Sequence, residues 1–209
     1  MTIFSTADGH LVMLPVATTV SPPSTAPAPS HGDITKLKVD AIVNAANVEL
    51  KTGEGVCGAI FRAAGHDLAP ACNALGGCMA GEARITKGFK LPCNHIIHAV
   101  GPENKNAKNA QVLRRCYFST LTLASNSNIR SLALPCISTG ICGFDNNRAA
   151  AIAIATVSQW IRENPEHAAR MSVIFCTFME TDKDIYDRFL PMSFTSTPVS
   201  TLPAAYVQI

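Results

Sequence analysis

The sequence predicts an α/β fold in which a central sheet is covered by helices on both faces. Short apolar runs alternate along the chain with segments of helical spacing, which is the pattern of strands connected through helices. The strand-like runs are apolar at consecutive positions, which is typical of strands buried on both sides. Hydrophobic residues make up 47% of the 209 residues, enough for the core of one domain.

The domain is predicted to cover residues 32–190. Residues 16–31, VATTVSPPSTAPAPSH, are rich in Pro, Ser, Thr and Ala, and we interpret 1–31 as an extended N-terminal segment. Residues 191–209 combine prolines with scattered Ser and Thr and are predicted to be a loose tail.

Four elements are predicted in the first half of the domain. The run at 40–46 (DAIVNAA) is short and apolar, as expected of a buried strand. Helix-forming residues follow at 56–65, where Gly65 ends the helix, and at 67–75. The run at 95–101 (HIIHAVG) predicts the next strand.

The second half continues the alternation. Apolar residues at helical spacing predict helices over 110–127 and 148–164, and the apolar run at 131–138 between them predicts a strand. A strand over 171–178 is followed by a helix over 181–190, whose first residue, a threonine, is suited to be its N-cap.

Composition and charge argue against several classes of protein. The chain has 17 basic and 15 acidic residues, so its net charge of +2 and its lack of a basic aromatic patch give no reason to expect nucleic-acid binding. No apolar run approaches the ~18 residues of a membrane span, and the N-terminal residues lack the basic region of a secretory signal. We expect a monomer without a cofactor.

The eight cysteines form no C-x-x-C pair, and several lie inside apolar runs. A chain of this size can bury a core without disulfides. We therefore expect reduced cysteines that act as small buried hydrophobic residues, and a cytoplasmic or nuclear location.

Two glycine-rich loops follow predicted strands, and each runs into a helix. They are NVELKTGEGVCGAI (47–60) and STGICGFDNNRAA (138–150). Ligands of open α/β sheets bind beyond the carboxyl ends of the strands. Glycine lets backbone N–H groups approach a ligand, and a helix N-terminus adds partial positive charge. Together the loops predict a cradle for a phosphate or diphosphate that needs no lysine. Either loop alone also fits a tight strand-to-helix turn, and neither has a Walker or G-x-G-x-x-G pattern.

Two asparagines accompany the first loop. Asn44 lies inside the apolar run, needs internal partners and is interpreted as structural. Asn47 lies where the chain leaves the sheet, and its amide is suited to bind a sugar hydroxyl.

Cys93, His95 and His98 raise the possibility of a zinc site. In a strand, residues 93 and 95 share one face and 98 points to the other, so the three would not converge on one ion. We expect no metal and interpret His98 as a hydrogen-bonded packing residue near the site.

Five blocks, in order, resemble the macrodomain family, and within it most resemble the MacroD-type ADP-ribosylhydrolases. The blocks are GDITKLKVDAIVNAAN (32–47), TGEGVCGAIFRAAG (52–65), LGGCMAGEARITKGFKLPCNHIIHAVGP (75–102), PCISTGICGF (135–144) and IFCTFMETDKDIYDRF (174–189). The resemblance implies a three-layer α/β/α sandwich with a central mixed sheet. It implies ADP-ribose as the ligand and mono-ADP-ribosylated proteins as partners.

The resemblance also implies roles for matching residues. Asp33 would accept a hydrogen bond from the adenine amino group, with the Ile34 N–H nearby and Phe178 at the same end. Asn47 would bind the distal ribose, and Phe144 would pack against it. The loop positions that would contact the ligand, chiefly at its diphosphate, are Gly53, Glu54, Gly55, Val56, Cys57, Ser138, Thr139, Gly140, Ile141, Cys142 and Gly143. Among all these positions, Asn47, Cys57 and Gly140 are the expected catalytic ones.

The implied reaction is hydrolysis of the ester between ADP-ribose and a protein Asp or Glu, with O-acetyl-ADP-ribose as a parallel substrate. The hydrolase pattern has an aspartate where this chain has Cys57. Some viral macrodomains share a cysteine there and an acidic residue where Glu54 stands. A substrate phosphate oxygen is then the expected base, acting on a water held between the loops. Asn47 would orient the ribose, and loop amides would stabilise developing charge.

Other departures from the family leave alternatives open. Cys142 stands where relatives have Tyr or Phe, and with Cys57 it favours a non-catalytic ADP-ribose reader. A covalent mechanism through Cys57 would need a base within hydrogen-bond reach. In the family, a strand comes directly before the Gly-Asp pair, which is Gly32-Asp33 here. In this chain, either HLVML (10–14) supplies that strand from farther upstream or the strand is missing.

Overall fold

The computed structural model describes residues 4–5, 11–14, 32–103 and 109–194. The strands are Phe4–Ser5 (β1), Leu11–Leu14 (β2), Ala41–Ala46 (β3), Ala83–Lys87 (β4), His95–Val100 (β5), Ser131–Pro135 (β6) and Ser172–Cys176 (β7). The helices are Gly55–Ala64 (α1), Leu68–Ala74 (α2), Ala110–Asn126 (α3), Asn146–Glu163 (α4), Pro165–Ala168 (α5) and Glu180–Phe194 (α6), and a 3-10 turn covers Ile34–Lys36.

The described strands form one mixed sheet in the order β1-β2-β7-β6-β3-β5-β4. The four central strands, β7, β6, β3 and β5, are parallel. β2 pairs antiparallel with β7, and β4 pairs antiparallel with β5. Leu11–Leu14 therefore supplies the strand that the family resemblance places before Gly32.

Helices cover both faces of the sheet. Consecutive strand residues point to opposite sides, and because they are apolar on both sides, each face packs against helices. Ala41 and Val43 pack with α3, α4 and α6 in one buried cluster. Ile42 packs with α1, α2 and the 3-10 turn in a second cluster. The predicted three-layer α/β/α sandwich is confirmed.

The element boundaries differ from the predictions in a few places. β4 was not predicted, and its burial is mixed. The last helix begins at Glu180, so the prediction of Thr181 as its N-cap is wrong. That helix continues through Pro191 to Phe194, past the predicted domain end at residue 190. The domain boundaries themselves stay predictions.

All eight cysteines are free, and six of them are buried, as the expectation of small hydrophobic thiols requires. Among the helices described here, none has the length and apolar character needed to cross a bilayer.

Candidate functional site

A cavity of about 650 Å³ opens where β3, β6 and β7 end. This volume falls within the ~300–1,000 Å³ typical of small-molecule sites. Ala45, Pro135 and Cys176, at the carboxyl ends of the three strands, contribute to its wall. The predicted positions that line it are Asp33, Ile34, Glu54, Gly55, Val56, Ser138, Thr139, Gly140, Ile141, Cys142 and Phe178. The two glycine-rich loops and the Gly32-Asp33 turn therefore meet at one site.

The first loop presents the N-terminus of α1 to this cavity. Glu54 occupies the N-cap position but makes no side-chain capping hydrogen bond. Gly55 begins the helix with φ +58°, a conformation that favours glycine. Gly58 has no side chain, and a Cβ there would run into the carbonyl oxygen of Gly53. The absence of a side chain at Gly58 thus lets the loop lie directly against the helix.

The second loop is held by its own main chain. Ser138 has φ 67°, its hydroxyl donates to the Pro102 carbonyl at 3.0 Å, and its carbonyl accepts from the Phe144 N–H at 2.9 Å. A Cβ at Gly140 would meet no atom of the described residues within 4 Å. Gly140 therefore borders open space in the cavity.

Asn47, Gly53 and Cys57 lie together but are not part of the cavity wall. A Cβ on Gly53 would be 3.6 Å from Cys57 Sγ and 3.7 Å from Asn47 Nδ2. Asn47 Nδ2 donates to the Lys51 carbonyl, and Asn47 Oδ1 accepts from the Lys51 N–H, both at 2.9 Å. One amide N–H and one oxygen lone pair of Asn47 remain for a ligand.

Cys57 is a buried, protonated thiol. Burial raises its pKa, although a hydrogen bond from Asn44 opposes the shift. Asn44 Nδ2 lies 3.7 Å from Cys57 Sγ and 3.1 Å from His98 Nδ1, so the amide stands between thiol and imidazole. Burial also lowers the pKa of His98 to about 4. Among the described residues, the Cys57 thiol is hydrogen-bonded to the Asn44 amide and the Lys51 carbonyl, and neither of these is a base. A neutral thiol in this setting does not support the covalent mechanism.

The two predicted aromatic contacts have different settings. Phe144 is only 5% exposed and belongs to the core on the α3–α4 side. Phe178 is 69% exposed at the cavity rim, as is Ile141 at 77%. The role of Phe144 at the distal ribose stays a prediction, as do the roles of Gly143 and the other loop residues.

The cavity wall also contains charged residues that sequence reasoning missed. Arg62 is the one cation among the described lining residues. It follows Gly55 by two helical turns and so shares its face, a signal that was present in the sequence. Asp182 is 5% exposed, and its carboxylate accepts from Asn146 Nδ2 at 2.7 Å. Burial, followed by the charge of Asp182, raises the pKa of Cys136, another lining residue.

The surroundings of His98 bear on the possibility of a zinc site. His98 faces α1 and α2, where it contacts Asn44, Thr86 and Cys72. Within the described ranges, no group of three His, Cys, Asp or Glu side chains is arranged to hold a metal ion.

Comparison with known proteins assigns the family. A protein-family model with the description "Macro domain" matches residues 43–153 of this sequence. The chain belongs to the Macro domain family. This macrodomain is 49% identical over 162 residues to ADP-ribose glycohydrolase MACROD2 of Xenopus laevis, covering 76% of this chain and 38% of the relative. It is 47% identical over 167 residues to ADP-ribose glycohydrolase MACROD1 of Rattus norvegicus, covering 78% and 64%.

This macrodomain thus spans between about a third and two thirds of those two relatives. A solved Oceanobacillus iheyensis macrodomain with ADP superposes with a TM-score of 0.72 at 39% identity, covering 77% of this chain and 87% of that one. A Trypanosoma brucei macrodomain in complex with ADP-ribose also has a TM-score of 0.72, at 38% identity, covering 77% and 67%.

Proposed function

We propose that this macrodomain binds ADP-ribose and hydrolyses the ester that links mono-ADP-ribose to protein Asp or Glu side chains. The observation that carries the proposal is the meeting of two backbone-rich loops and the Asp33 turn at one cavity. Relatives named ADP-ribose glycohydrolases and a similar macrodomain complexed with ADP-ribose support it.

The adenine end of the ligand fits the Asp33 turn. Asp33 Oδ1 accepts from the Thr35 N–H at 3.0 Å and from the Thr35 hydroxyl at 2.6 Å. The carboxylate is therefore held in place, and its other oxygen is left to accept from the adenine amino group. The exposed ring of Phe178 supplies an apolar surface beside it.

The diphosphate fits between the N-terminus of α1 and the loop at Ser138–Cys142. Main-chain N–H groups and the dipole of α1 stabilise negative charge there. Arg62 lines the same cavity and adds a cation. Glu54 also lines the cavity, so the main-chain groups of this loop act beside a carboxylate.

The distal ribose then extends toward Asn47, whose free N–H and lone pair orient its hydroxyls. Since Cys57 is a neutral thiol, it does not serve as the base. A phosphate oxygen of the substrate takes the proton from a water held between the loops. The water oxygen bonds to an ester carbon, the ester C–O bond breaks, and the departing oxygen takes up the proton, so that ADP-ribose and the free Asp or Glu side chain separate. Proximity supplies most of the rate, and loop amides stabilise the charge that develops. O-acetyl-ADP-ribose, which carries a similar ester, is a second substrate.

A non-catalytic reader of ADP-ribose is the second candidate. It is favoured by Cys57, which offers no carboxylate to orient water. For both candidates we propose a cytoplasmic or nuclear location, based on eight free cysteines.

A demodification assay separates the two candidates. A protein carrying glutamate-linked mono-ADP-ribose is incubated with the macrodomain, and free ADP-ribose is measured, while calorimetry measures ADP-ribose binding. We expect release by the wild-type protein and roughly 100-fold slower release by Asn47→Ala, because the ribose loses its orienting contact. Binding without release would identify a reader. Absence of heat from a folded sample would overturn both candidates.

A further inference from the structure

A network of hydrogen bonds runs beneath the first glycine-rich loop, from the β4–β5 edge of the sheet to Asn47. His98 on β5 and Asn44 on β3 are both fully buried and lie on the α1–α2 side of the sheet. Their contact joins Asn44 Nδ2 to His98 Nδ1 at 3.1 Å. On its far side, His98 Nε2 lies 2.9 Å from the Thr86 hydroxyl.

The hydrogen bonds of this network are mutually consistent when His98 is neutral. Nδ1 accepts from Asn44, so Nε2 carries the proton and donates to Thr86. The Thr86 hydroxyl then donates to the Lys87 carbonyl at 3.2 Å. The second N–H of Asn44 donates to Cys57 Sγ at 3.7 Å. Cys72 Sγ lies 3.6 Å from the same Nε2 and is a second, weak acceptor for its N–H.

The hydrogen-bond network continues from the Cys57 thiol to Asn47 through the main-chain carbonyl of Lys51. Cys57 Sγ donates to the Lys51 carbonyl at 3.6 Å, and Asn47 Nδ2 donates to the same oxygen at 2.9 Å. The Lys51 N–H closes the turn on Asn47 Oδ1 at 2.9 Å. The orientation of the Asn47 carboxamide therefore depends on where the Lys51 carbonyl is held.

Filling space does not explain the choice of side chain at Asn44. Asn44 Oδ1 is buried and has no hydrogen-bond partner among the described residues, which costs free energy. An apolar side chain of similar size would fill the same volume without that cost. What it would lack is the amide that joins His98 to the Cys57 thiol.

We propose that Asn44 and His98 are positioning residues that fix the Cys57 thiol and, through the Lys51 carbonyl, the carboxamide of Asn47. This inference rests on the proposed function, in which Asn47 orients the distal ribose. Neither residue lines the cavity, so both act through Asn47 rather than on the ligand itself.

The test uses Asn44→Leu, which keeps the volume and removes the amide. We expect kcat for glutamate-linked ADP-ribose to fall roughly 100-fold, because a misplaced positioning group costs about that much. KM and the Kd for free ADP-ribose should change less than about threefold, since the adenine and diphosphate walls are untouched. Thr120→Val is the matched control, because Thr120 is buried and hydrogen-bonded on the opposite face of the sheet. It should lose stability and keep kcat.

A second pair of variants covers the case in which Asn44→Leu does not fold. His98→Gln retains an acceptor for Asn44 and should keep kcat within about threefold, whereas His98→Leu should fall roughly 100-fold. Equal kcat in both His98 variants would overturn the proposal. So would an unchanged kcat in folded Asn44→Leu, or an equal fall of kcat in Thr120→Val.

A readout that does not use catalysis separates this inference from the proposed function. The side-chain amide resonances of Asn47 in an NMR spectrum should shift in Asn44→Leu and His98→Leu and stay in place in Thr120→Val. If the wild-type protein releases no ADP-ribose while these shifts occur, the proposed hydrolysis fails and the positioning of Asn47 stands. If the Asn47 resonances stay unchanged in both variants, the positioning role is overturned.

Discussion

Cys57 and Asn47 are neighbours with different chemistry. The thiol is buried, and its pKa is raised, so at neutral pH it carries no charge and offers a weak hydrogen-bond donor. Asn47, which lies outside the cavity wall, keeps one N–H and one oxygen lone pair beyond its two hydrogen bonds to Lys51. The proposed hydrolysis therefore depends on orientation and on a base supplied by the substrate, so the placement of the ligand decides whether it occurs.

Gly140 gives a direct test of where the ligand lies. Gly140→Val adds a side chain whose Cβ would meet no atom of the described part of the chain within 4 Å. Because Gly140 lines the cavity, this side chain would reach into it. We expect the Kd for ADP-ribose, measured by calorimetry, to rise at least ~10-fold, while the free energy of unfolding changes by less than about 0.5 kcal/mol.

The control for this variant is Ala69→Val, on the exposed side of α2 and away from the cavity. It introduces the same side chain and should leave the Kd unchanged. Wild-type affinity in Gly140→Val would show that the ligand does not approach the second loop.

Residues of the site could be predicted from the sequence only where the local sequence pattern determines their position in the fold. The loop positions after β3 and β6 follow from strand ends and glycines, and most of them line the cavity. The contact between Asn44 and His98 joins residues 54 apart in the sequence, and only the pairing of β3 with β5 brings them together. Asp182 reaches the cavity from the first turn of α6, which no local pattern indicates.

The junction of α1 with its preceding loop depends on one helical glycine. Replacing glycine by alanine in a helix usually stabilises it by about 1 kcal/mol. For Gly58→Ala we expect the opposite sign, because the Cβ would collide with the Gly53 carbonyl and lie 3.1 Å from Arg62 Nη1. The free energy of unfolding, measured with urea, should fall by about 1–3 kcal/mol, and ADP-ribose binding should weaken as the loop shifts.

Asn73→Ala, at an exposed position of α2, is the control for the effect of alanine in a helix. It should be neutral or slightly stabilising. If Gly58→Ala is also stabilising, the contact between the loop and α1 is not as close as the structure indicates.

Strands and helices of the central layers were predicted well because their apolar patterns are strong. β4 was missed because an edge strand that is buried on part of its surface lacks a continuous apolar run. β2 was left open because Leu11–Leu14 joins β7 across a long intervening segment. In both cases the partner strand, rather than the strand's own sequence, determines the pairing.

The two faces of the sheet differ in the side chains that the central strands place on them, because the buried polar residues of β3 and β5, Asn44 and His98, lie on the α1–α2 side. The α3–α4–α6 side is a large apolar cluster. The α1–α2 side, in contrast, encloses His98 with Asn44, Thr86 and Cys72 around it. All four are uncharged at neutral pH, since burial raises the pKa of Cys72 to about 11 and lowers that of His98. A buried imidazole without an anionic partner links the stability of the whole domain to pH.

We expect the folded state to lose stability as the pH falls from about 6.5 to about 4. The pKa of His98 is about 4 in the folded protein, against 6.5 for an ordinary histidine. Between these values the unfolded chain binds a proton that the folded state excludes, so the contribution is present above pH 6.5 and declines below it. The full difference amounts to about 3 kcal/mol. Urea unfolding at several pH values measures it.

The variant His98→Gln isolates this contribution from the titration of carboxylates. Glutamine does not titrate, so the variant should have a flatter dependence of unfolding free energy on pH between 6.5 and 4, whatever its stability at pH 7. His66→Gln is the control, because it also removes an imidazole but His66 is largely exposed; it should keep the wild-type slope. Parallel curves for wild-type and His98→Gln would mean that His98 takes up its proton over the same pH range in the folded and unfolded states, so that burial does not lower its pKa.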